Sequence, residues 1–233
     1  MLKKYYKKIE VSNLQLPEHE NFCDTVIDIS WSKIEYNRIA FINRAVQNFK
    51  ECKYLEIGCE NNLCFHSVAA KYKIGIDPVS GGNMKITSDD FFKNNTIIFD
   101  VIFIDGLHTY EQVRKDVVNS LRFLKNGGFI FLHDMIPRSF LEENVSRLQN
   151  IWTGNVWKVG IELAKTNNID FYVINADHGV GVLKKKQDTQ LYDDYINLKD
   201  LKFKDFLYLN EIINYINPEE AIKIINKSIG QAI

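Results

Sequence analysis

Two apolar segments that end in titratable residues constrain the fold of this chain more than any other feature. The first is FDVIFIDGLHTYEQVRKDV, in which an apolar run leads to Asp105 and then to His108. The second is GGFIFLHDMIP, in which a similar run ends at His133 and Asp134. Both runs are continuously apolar rather than alternating, which is typical of strands in a parallel sheet that is covered on both faces.

Strand-like and helix-like segments alternate through the middle of the chain. The segments KYLEIG, KIGID, IIFDVIFID and FIFLHD indicate strands, and helix-like segments such as LCFHSVAAKY separate them. This alternation predicts an α/β fold, a Rossmann-like three-layer sandwich with a seven-stranded, mostly parallel sheet. The segment FYVINADHGVGVLKKK has two β-rich runs joined at Asp177-His178-Gly179. That is a hairpin signal, so we expect an antiparallel last strand at the edge of the sheet.

A chain of 233 residues is long enough for one substantial domain and short for two. We expect a single domain over 1–233, with a helical N-terminal extension over 1–50, a core over 51–185 and a helical tail over 186–233. In the tail, Asn217 as a cap, Pro218 at the first helical position and Gly230 as the closing residue predict a helix.

The helix after Asp105 has its own start and stop signals. Thr109 and Gln112 have the spacing of a capping box for a helix over 110–124, and Gly127-Gly128 follows, as a helix C-terminus prefers.

Composition excludes several classes of function. A net charge of -1 argues against nucleic acid as the main partner, because that binding usually needs a basic face. The four cysteines form no CxxC pair, which fits a reducing cytoplasm. The lysine-rich start is not followed by an apolar stretch, so we expect neither a signal peptide nor a membrane span. These observations predict a cytoplasmic protein that binds small molecules.

The first two strands end in residues suited to a nucleoside. Glu56 and Gly58 end the first, and Asp77 ends the second, where an acid can accept hydrogen bonds from ribose hydroxyls. The dinucleotide pattern G-x-G-x-x-G fails, because Glu60 and Leu63 occupy its second and third glycine positions. S-adenosylmethionine fits better, since it needs no phosphate cradle.

The segments EIG, GIDP, TSDDFF, FIDGLHTYEQVRKDV and LKNGGFIFLHDMIP, in that order, resemble class I S-adenosylmethionine-dependent methyltransferases. The resemblance is closest to the branch that includes sugar O-methyltransferases of glycan and macrolide biosynthesis. GNVWKVG and ADHGVGVL extend it over roughly residues 51–185, which would form the cofactor-binding core.

The resemblance implies a role for each matching residue toward S-adenosylmethionine. It implies that Glu56 and Gly58 lie near the methionine part of the cofactor and that Asp77 binds the ribose. Ser88 and Asp89 would lie near the adenine, and Asp105 would lie at the end of the family's fourth strand. The sequence departs from the family where later glycines of the first motif are replaced by Glu60 and Asn62. Side chains there are expected to narrow the pocket.

Methyl transfer to a hydroxyl needs a group that removes the hydroxyl proton. His108 and His133 are the candidate general bases, because imidazole titrates near neutral pH. A divalent cation is the alternative: related sugar methyltransferases use Mg²⁺, and the matching ligands here are Asp105, His133 and Asp134. Mg²⁺ prefers oxygen ligands, so His133 weakens that alternative.

The expected function is methyl transfer from S-adenosylmethionine to a hydroxyl oxygen of a sugar or sugar-nucleotide-like acceptor. The alternatives are an acceptor that is a small phosphorylated metabolite or an amine, and a non-catalytic binding module on the same fold. The helical extensions are expected to shape the acceptor pocket or a homodimer contact.

Overall fold

The computed structural model describes residues 2–8 and 22–227. Within these ranges the strands are β1 (Tyr6–Lys8), β2 (Thr25–Ile27), β3 (Lys53–Ile57), β4 (Tyr72–Ile76), β5 (Phe99–Ile104), β6 (Leu124–Leu132), β7 (Ile169–Ile174), β8 (Val180–Lys185) and β9 (Tyr215–Ile216). The α-helices are α1 (Arg38–Val46), α2 (Leu63–Ser67), α3 (Ser88–Asn94), α4 (Tyr110–Phe123), α5 (Phe140–Glu143), α6 (Trp157–Lys165), α7 (Tyr195–Leu198), α8 (Phe203–Leu209) and α9 (Pro218–Lys227).

The predicted Rossmann-like α/β fold with a seven-stranded, mostly parallel sheet is confirmed. The strand order is β4-β3-β5-β6-β8-β7-β9, and β8, the last strand of the core, runs antiparallel to both of its neighbours. The β7–β8 hairpin is also confirmed, but it does not form the sheet edge. That edge is β9, which pairs in parallel with β7 and is only two residues long, too short to leave a periodic signal in the sequence.

The two faces of the sheet are both buried, as the continuous apolar runs predict. All six residues of β5 are buried. Ile102 and Ile104 belong to one core cluster, which includes Val113 and Val117 of α4. Val101, Phe103 and their neighbours on β6 belong to the other cluster, which packs against α1 and α9. Successive side chains of a strand point to opposite faces, so both faces of β5 are buried, and its one polar residue, Asp100, accepts a hydrogen bond from the Lys53 amide at 2.9 Å.

The N-terminal extension differs from the helical segment expected. Of its described residues, 38–46 form an α-helix, while β1 and β2 pair as a small antiparallel ribbon. Three-residue strands carry too little alternation to be recognised in a sequence. In the tail, α7, α8 and α9 are helical, and the Asn217 side chain accepts a hydrogen bond from the Glu220 amide at 2.8 Å, as its predicted cap role requires. The closing residue Gly230 lies outside the described residues.

The start of α4 is capped by a different residue from the one predicted. The Thr109 side chain makes no capping hydrogen bond. Instead, the Tyr110 amide donates to Oδ1 of Asn155 at 2.6 Å, from a segment that is distant in sequence. The helix ends at Phe123, before the glycine pair, and β6 begins at the next residue. No helix within residues 2–8 or 22–227 has the length and hydropathy needed to cross a lipid bilayer.

Candidate active site

A cavity of about 740 Å³ lies at the carboxyl ends of the parallel strands. In open α/β sheets this is the edge at which ligands bind. The structure brings every site residue named from the sequence to its wall: Glu56, Gly58, Asp77, Ser88, Asp89, Asp105, His108, His133 and Asp134. They come from segments up to 78 residues apart. The parallel register aligns the strand ends, and the segments that follow the strands bring Ser88, Asp89 and His108 to the same wall.

The loop after β3 has left-handed backbone conformations at Gly58 and also at two positions that do not hold glycine. Gly58 has φ +84°, and a Cβ built there would lie 2.2 Å from the Asp105 carbonyl oxygen. Glu60 and Asn62 also have positive φ, at 43° and 66°. The Asn62 side chain accepts a hydrogen bond from the Gly82 amide at 2.7 Å and does not line the cavity. Glu60 does line the cavity, so the expected narrowing stays a prediction for that residue.

Asp77 organises the same loop. One carboxylate oxygen accepts hydrogen bonds from the amides of Cys59 and Glu60, at 3.0 and 3.1 Å. The other accepts from Val79 and Ser80, both at 2.8 Å. Partial burial alone would raise the pKa of Asp77, but these four backbone donors outweigh it and lower the pKa. The carboxylate therefore stays ionised at the cavity wall.

Glu56 is an acid held partly in its neutral form. It is 1% exposed, and the Tyr54 hydroxyl donates to its Oε2 at 2.5 Å. Burial raises the pKa of Glu56 to about 7. A cationic group bound beside Glu56 would stabilise its ionised form and neutralise its negative charge.

Ser88 and Asp89 begin α3 and lie close to two residues that the sequence did not identify as site residues. The Gln112 amide nitrogen lies 3.2 Å from Ser88 Oγ, 3.3 Å from Asp89 Oδ1 and 3.1 Å from Asp116 Oδ1. Gln112 and Asp116 are one turn apart on α4, and both line the cavity. The four-residue spacing of two polar residues on a helix was the available signal, but many solvated helix faces share it.

At the other end of the cavity, two histidines lie among carboxylates. His133 Nδ1 is 3.2 Å from Asp105 Oδ1 and 3.4 Å from Asp134 Oδ1. His108 Nδ1 is 3.2 Å from Asp134 Oδ2, and its Nε2 is 3.4 Å from Asp105 Oδ1. Burial alone would raise the pKa of Asp105, but the two histidines outweigh it and hold the pKa well below its ordinary value.

His133 is further enclosed by Arg38 and Asp177, which the sequence did not reveal as site residues. Its Nε2 is 3.6 Å from Asp177 Oδ1, and Arg38 pairs with Asp177 at 2.9 Å. Burial alone would lower the pKa of His133, but Asp134 and Asp105 outweigh it and raise the pKa well above its ordinary value. Arg38 lies at the start of α1 and Asp177 in the β7–β8 turn, so only the folded chain brings them together. His178, with φ +60°, has the turn conformation expected of it.

His108 is the more accessible imidazole. Its side chain is 20% exposed, against 9% for His133. The ring stacks on Trp152 with centroids 5.1 Å apart, and Nδ1 lies 3.1 Å from the Trp152 carbonyl oxygen. Because a carbonyl can only accept, Nδ1 carries a proton. Burial alone would lower the pKa of His108, but Asp105 and Asp134 outweigh it and raise the pKa.

The residues placed to hold a metal differ from the predicted set by one histidine. Ligand atoms of Asp105, His108 and Asp134 all lie within 4.8 Å of one another. His133 is instead engaged by Asp105 and Asp177, with Arg38 Nη1 at 3.4 Å from its Nε2. The sequence could not separate the two histidines, because the loop that carries His108 folds back onto the strand ends.

The fold is Rossmann-like α/β, and a cavity lies at the carboxyl edge of its sheet. A family model described as a methyltransferase domain matches residues 44–135, a segment from α1 to the residue after Asp134. The match supports the resemblance to S-adenosylmethionine-dependent methyltransferases, and it does not distinguish the branch that includes sugar O-methyltransferases from the others. No curated protein matches the sequence.

Several solved structures are similar in fold at low sequence identity. The SAH-bound methyltransferase PaMTH1 of Podospora anserina is 16% identical, with a TM-score of 0.47 over 64% of this chain and 77% of that one. A putative caffeoyl-CoA O-methyltransferase from Staphylococcus aureus is 16% identical, with a TM-score of 0.48 over 66% and 87%. An O-methyltransferase from Bacillus cereus in complex with SAH is 12% identical, with a TM-score of 0.46 over 68% and 83%.

Proposed function

We propose that this protein transfers the methyl group of S-adenosylmethionine to a hydroxyl oxygen of a small-molecule acceptor. The observation that carries the proposal is the single cavity that joins an acid-rich nucleoside end to a histidine–carboxylate end. The family match over residues 44–135 supports the methyltransferase class.

The proposed cofactor contacts follow from the charges on the wall. Glu56 would pair with the ammonium of the methionine part, whose charge would offset the cost of ionising this buried acid. Asp77 would accept from a ribose hydroxyl in place of one of its four backbone donors, and Ser88 and Asp89 would border the adenine. S-adenosylmethionine supplies an electrophilic methyl group when bound, and the protein supplies position and a base.

His108 is the proposed general base. Bound S-adenosylmethionine would give its methyl group to the acceptor oxygen and keep the bonding electron pair on sulfur, and the hydroxyl proton would pass to Nε2 of His108. His108 suits this role better than His133, because it is more exposed and its pKa is raised less strongly. The Trp152 carbonyl holds a proton on Nδ1, so Nε2 would take up the hydroxyl proton, and Asp105 Oδ1, 3.4 Å away, would stabilise the imidazolium. His133 is surrounded by carboxylates and would carry a positive charge as an imidazolium. In that form it would hold Asp105 in position.

A metal ion at Asp105, His108 and Asp134 is the second candidate arrangement. Two carboxylates and an imidazole fit Mn²⁺ or Zn²⁺ better than Mg²⁺, which prefers oxygen ligands alone. Such an ion would lower the pKa of the acceptor hydroxyl and orient it. His108 would then be a ligand rather than the base.

The proposed acceptor is a carbohydrate or a sugar nucleotide. Arg147, Asn150 and Trp152 line the histidine end, and amide, guanidinium and indole groups are suited to hydroxyl-rich ligands. The choice of acceptor rests on the resemblance to sugar O-methyltransferases. A phosphorylated metabolite is the alternative that Arg147 would favour. A binding module without catalysis is the alternative that the Glu60 side chain would favour.

Calorimetric titration of S-adenosylmethionine, with Mg²⁺ and again with EDTA, tests the cofactor. We expect micromolar binding in both conditions, and no binding in either would refute the proposal. The base is tested by His108→Ala, for which we expect at least a tenfold fall in turnover with cofactor affinity unchanged. His66→Ala is the matched control, since His66 is exposed and lies outside the cavity. Unchanged turnover in His108→Ala would refute the assignment of the base.

A further inference from the structure

A second cavity, of about 1040 Å³, lies at the opposite edge of the sheet from the candidate active site. Its wall includes the starts of β3, β5 and β6 and the end of β8. Because β8 runs antiparallel to β6, its carboxyl end lies beside the amino ends of the parallel strands. Among the described residues, the two cavities share no lining residue. The proposed methyl transfer therefore leaves this second cavity without a role.

Lysines predominate in the wall of this second cavity. Among its described lining residues, six are lysines and two are acids. The lysines are Lys50, Lys53, Lys125, Lys184, Lys185 and Lys186, and the acids are Glu51 and Asp100. The whole chain has a net charge of -1, so this excess of positive charge is a local property of one sheet edge and not a consequence of a basic composition.

The two acids do not neutralise this charge. Glu51 pairs at 2.6 Å with Lys71, which does not line the cavity. Asp100 is buried, and one of its oxygens accepts a hydrogen bond from the Lys53 amide at 2.9 Å. Its other oxygen lies 3.7 Å from Lys125 Nζ. Within the described wall, Asp100 therefore offsets the charge of one lysine.

The ammonium groups of Lys50 and Lys53 have no counter-ion within the described chain. Both residues are exposed, and neither ammonium group forms a hydrogen bond or an ion pair with any of residues 2–8 and 22–227. Lys185 and Lys186 do form ion pairs, but with acids outside the cavity wall, at 3.1 and 2.6 Å. Like charges that lie close together repel, so the cavity favours an anion that brings several negative charges.

Two aromatic rings hold two further ammonium groups at the cavity. Phe49 and Phe129 pack edge to face, with their ring centroids 6.5 Å apart. Lys125 Nζ lies 5.9 Å from the Phe49 centroid, and Lys184 Nζ lies 5.9 Å from the Phe129 centroid. An aromatic face attracts an ammonium group without neutralising its charge. These contacts therefore order cationic side chains at the cavity wall before a ligand binds.

A bulge in β6 leaves room beside Lys125. Between two consecutive paired positions, β5 has one residue, Asp100, and β6 has four, 125–128. A bulge turns side chains away from the regular ladder of the sheet. Gly127 lines the cavity, and a Cβ built there would meet no described atom within 4 Å. The space beside the bulge is therefore open to a ligand.

We propose that this second cavity binds a small molecule that carries two or more linked phosphate groups. Lysine binds phosphate as a point charge on a flexible stem, and its ammonium group has three donors for phosphate oxygens. The lysines come from three segments of the chain, at β3, β6 and β8, so an anion must be extended to reach them together. The concave wall favours a compact molecule over a flat lipid surface or a nucleic-acid duplex. This site does not depend on the proposed methyl transfer.

The test is calorimetric titration of inorganic tripolyphosphate into the full chain, at low ionic strength and without divalent cations. We expect one site per chain and an affinity at least tenfold higher than that for inorganic phosphate. The double variant with Lys50→Gln and Lys53→Gln should bind tripolyphosphate at least tenfold more weakly, because it lacks two ammonium groups that have no other described partner. The matched control combines Lys7→Gln with Lys8→Gln, which removes the same charge from β1, outside the cavity. Its affinity should stay within twofold of that of the unmodified protein.

Several results would overturn the proposal. No binding of tripolyphosphate would do so, and lysine-dependent binding to phosphatidylglycerol vesicles in its place would assign this face to a lipid surface. An equal fall in affinity in the two double variants would reduce the effect to the net charge of the chain. Competition between tripolyphosphate and S-adenosylhomocysteine would place the anion in the candidate active site. Failure of S-adenosylhomocysteine to bind would refute the proposed function alone, because the two cavities are separate.

Discussion

Replacement of Gly58 by alanine tests the contact between strand ends on which the whole site depends. The new Cβ would lie 2.2 Å from the Asp105 carbonyl oxygen, 2.6 Å from its carbon and 2.7 Å from Gly106 Cα. All three are backbone atoms, so no side chain can rotate away. The ends of β3 and β5 would have to separate.

The magnitude follows from two contributions, and Gly127→Ala isolates one of them. Gly127 has φ +83°, close to the +84° of Gly58, but a Cβ there would meet nothing within 4 Å. The left-handed conformation costs an alanine about 1–2 kcal/mol at both positions. The clash at Gly58 adds about 2–3 kcal/mol, in the upper range for overpacked sites. We therefore expect a loss of about 3–5 kcal/mol for Gly58→Ala and about 1–2 kcal/mol for Gly127→Ala.

The assay is urea unfolding of both variants beside the unmodified protein. The free energies of unfolding are compared with one common value for their dependence on urea concentration. Binding of S-adenosylhomocysteine should be lost in Gly58→Ala, since separation of the strand ends moves Glu56 from Asp105, and retained in Gly127→Ala. Equal losses of stability in the two variants would refute the close approach of β3 and β5.

Three further predictions concern the cap, the buried acid and the metal. Asn155→Ala should lower the free energy of unfolding by about 1–3 kcal/mol, because it leaves the buried Tyr110 amide without a hydrogen-bond partner. Thr109→Ala should lower it by under about 0.5 kcal/mol, since the Thr109 side chain makes no capping hydrogen bond. A larger loss for Thr109→Ala than for Asn155→Ala in urea unfolding would contradict the assignment of the cap to Asn155. Because folding raises the pKa of Glu56 from 4.5 to about 7, the unfolded chain releases this proton at a lower pH than the folded protein does. The free energy of unfolding should therefore fall by up to about 3 kcal/mol as the pH rises from 4.5 to 7. Glu56→Gln should remove this loss, and its unfolding free energy relative to the unmodified protein should increase over that interval; a difference independent of pH would contradict the raised pKa. Mn²⁺ or Zn²⁺ should raise the melting temperature of the unmodified protein more than Mg²⁺ does, and His108→Ala should abolish the difference; an equal response to all three ions would count against the imidazole as a ligand.

The sequence was sufficient for the fold class and for the sheet edge at which the candidate site residues lie. Continuous apolar runs such as that of β5 occur where both faces of a strand are buried, and the alternation with helices fixes parallel connections. Because parallel strands share one carboxyl edge, the residues that end them, such as Asp105 and Asp134, were expected to meet. This expectation needed no knowledge of side-chain contacts.

The contacts between distant elements were decided only by the tertiary structure. The cap of α4 comes from Asn155 rather than from Thr109, because packing of a distant loop supplies a better-placed acceptor. The enclosure of His133 by Arg38 and Asp177 joins the start of α1 to the β7–β8 turn, across 139 positions of sequence.

The same limit applies to the roles of individual site residues. The sequence identified two histidines at strand ends, but their burial, which separates the accessible His108 from the enclosed His133, depends on loops that fold over the sheet edge. The contact of Gln112 with Ser88 and Asp89 depends likewise on how α4 packs beside α3. Local patterns determine elements and their edges, because hydrophobic periodicity is a property of neighbouring residues. Partners, pKa values and accessibility are properties of surroundings that only the complete fold assembles.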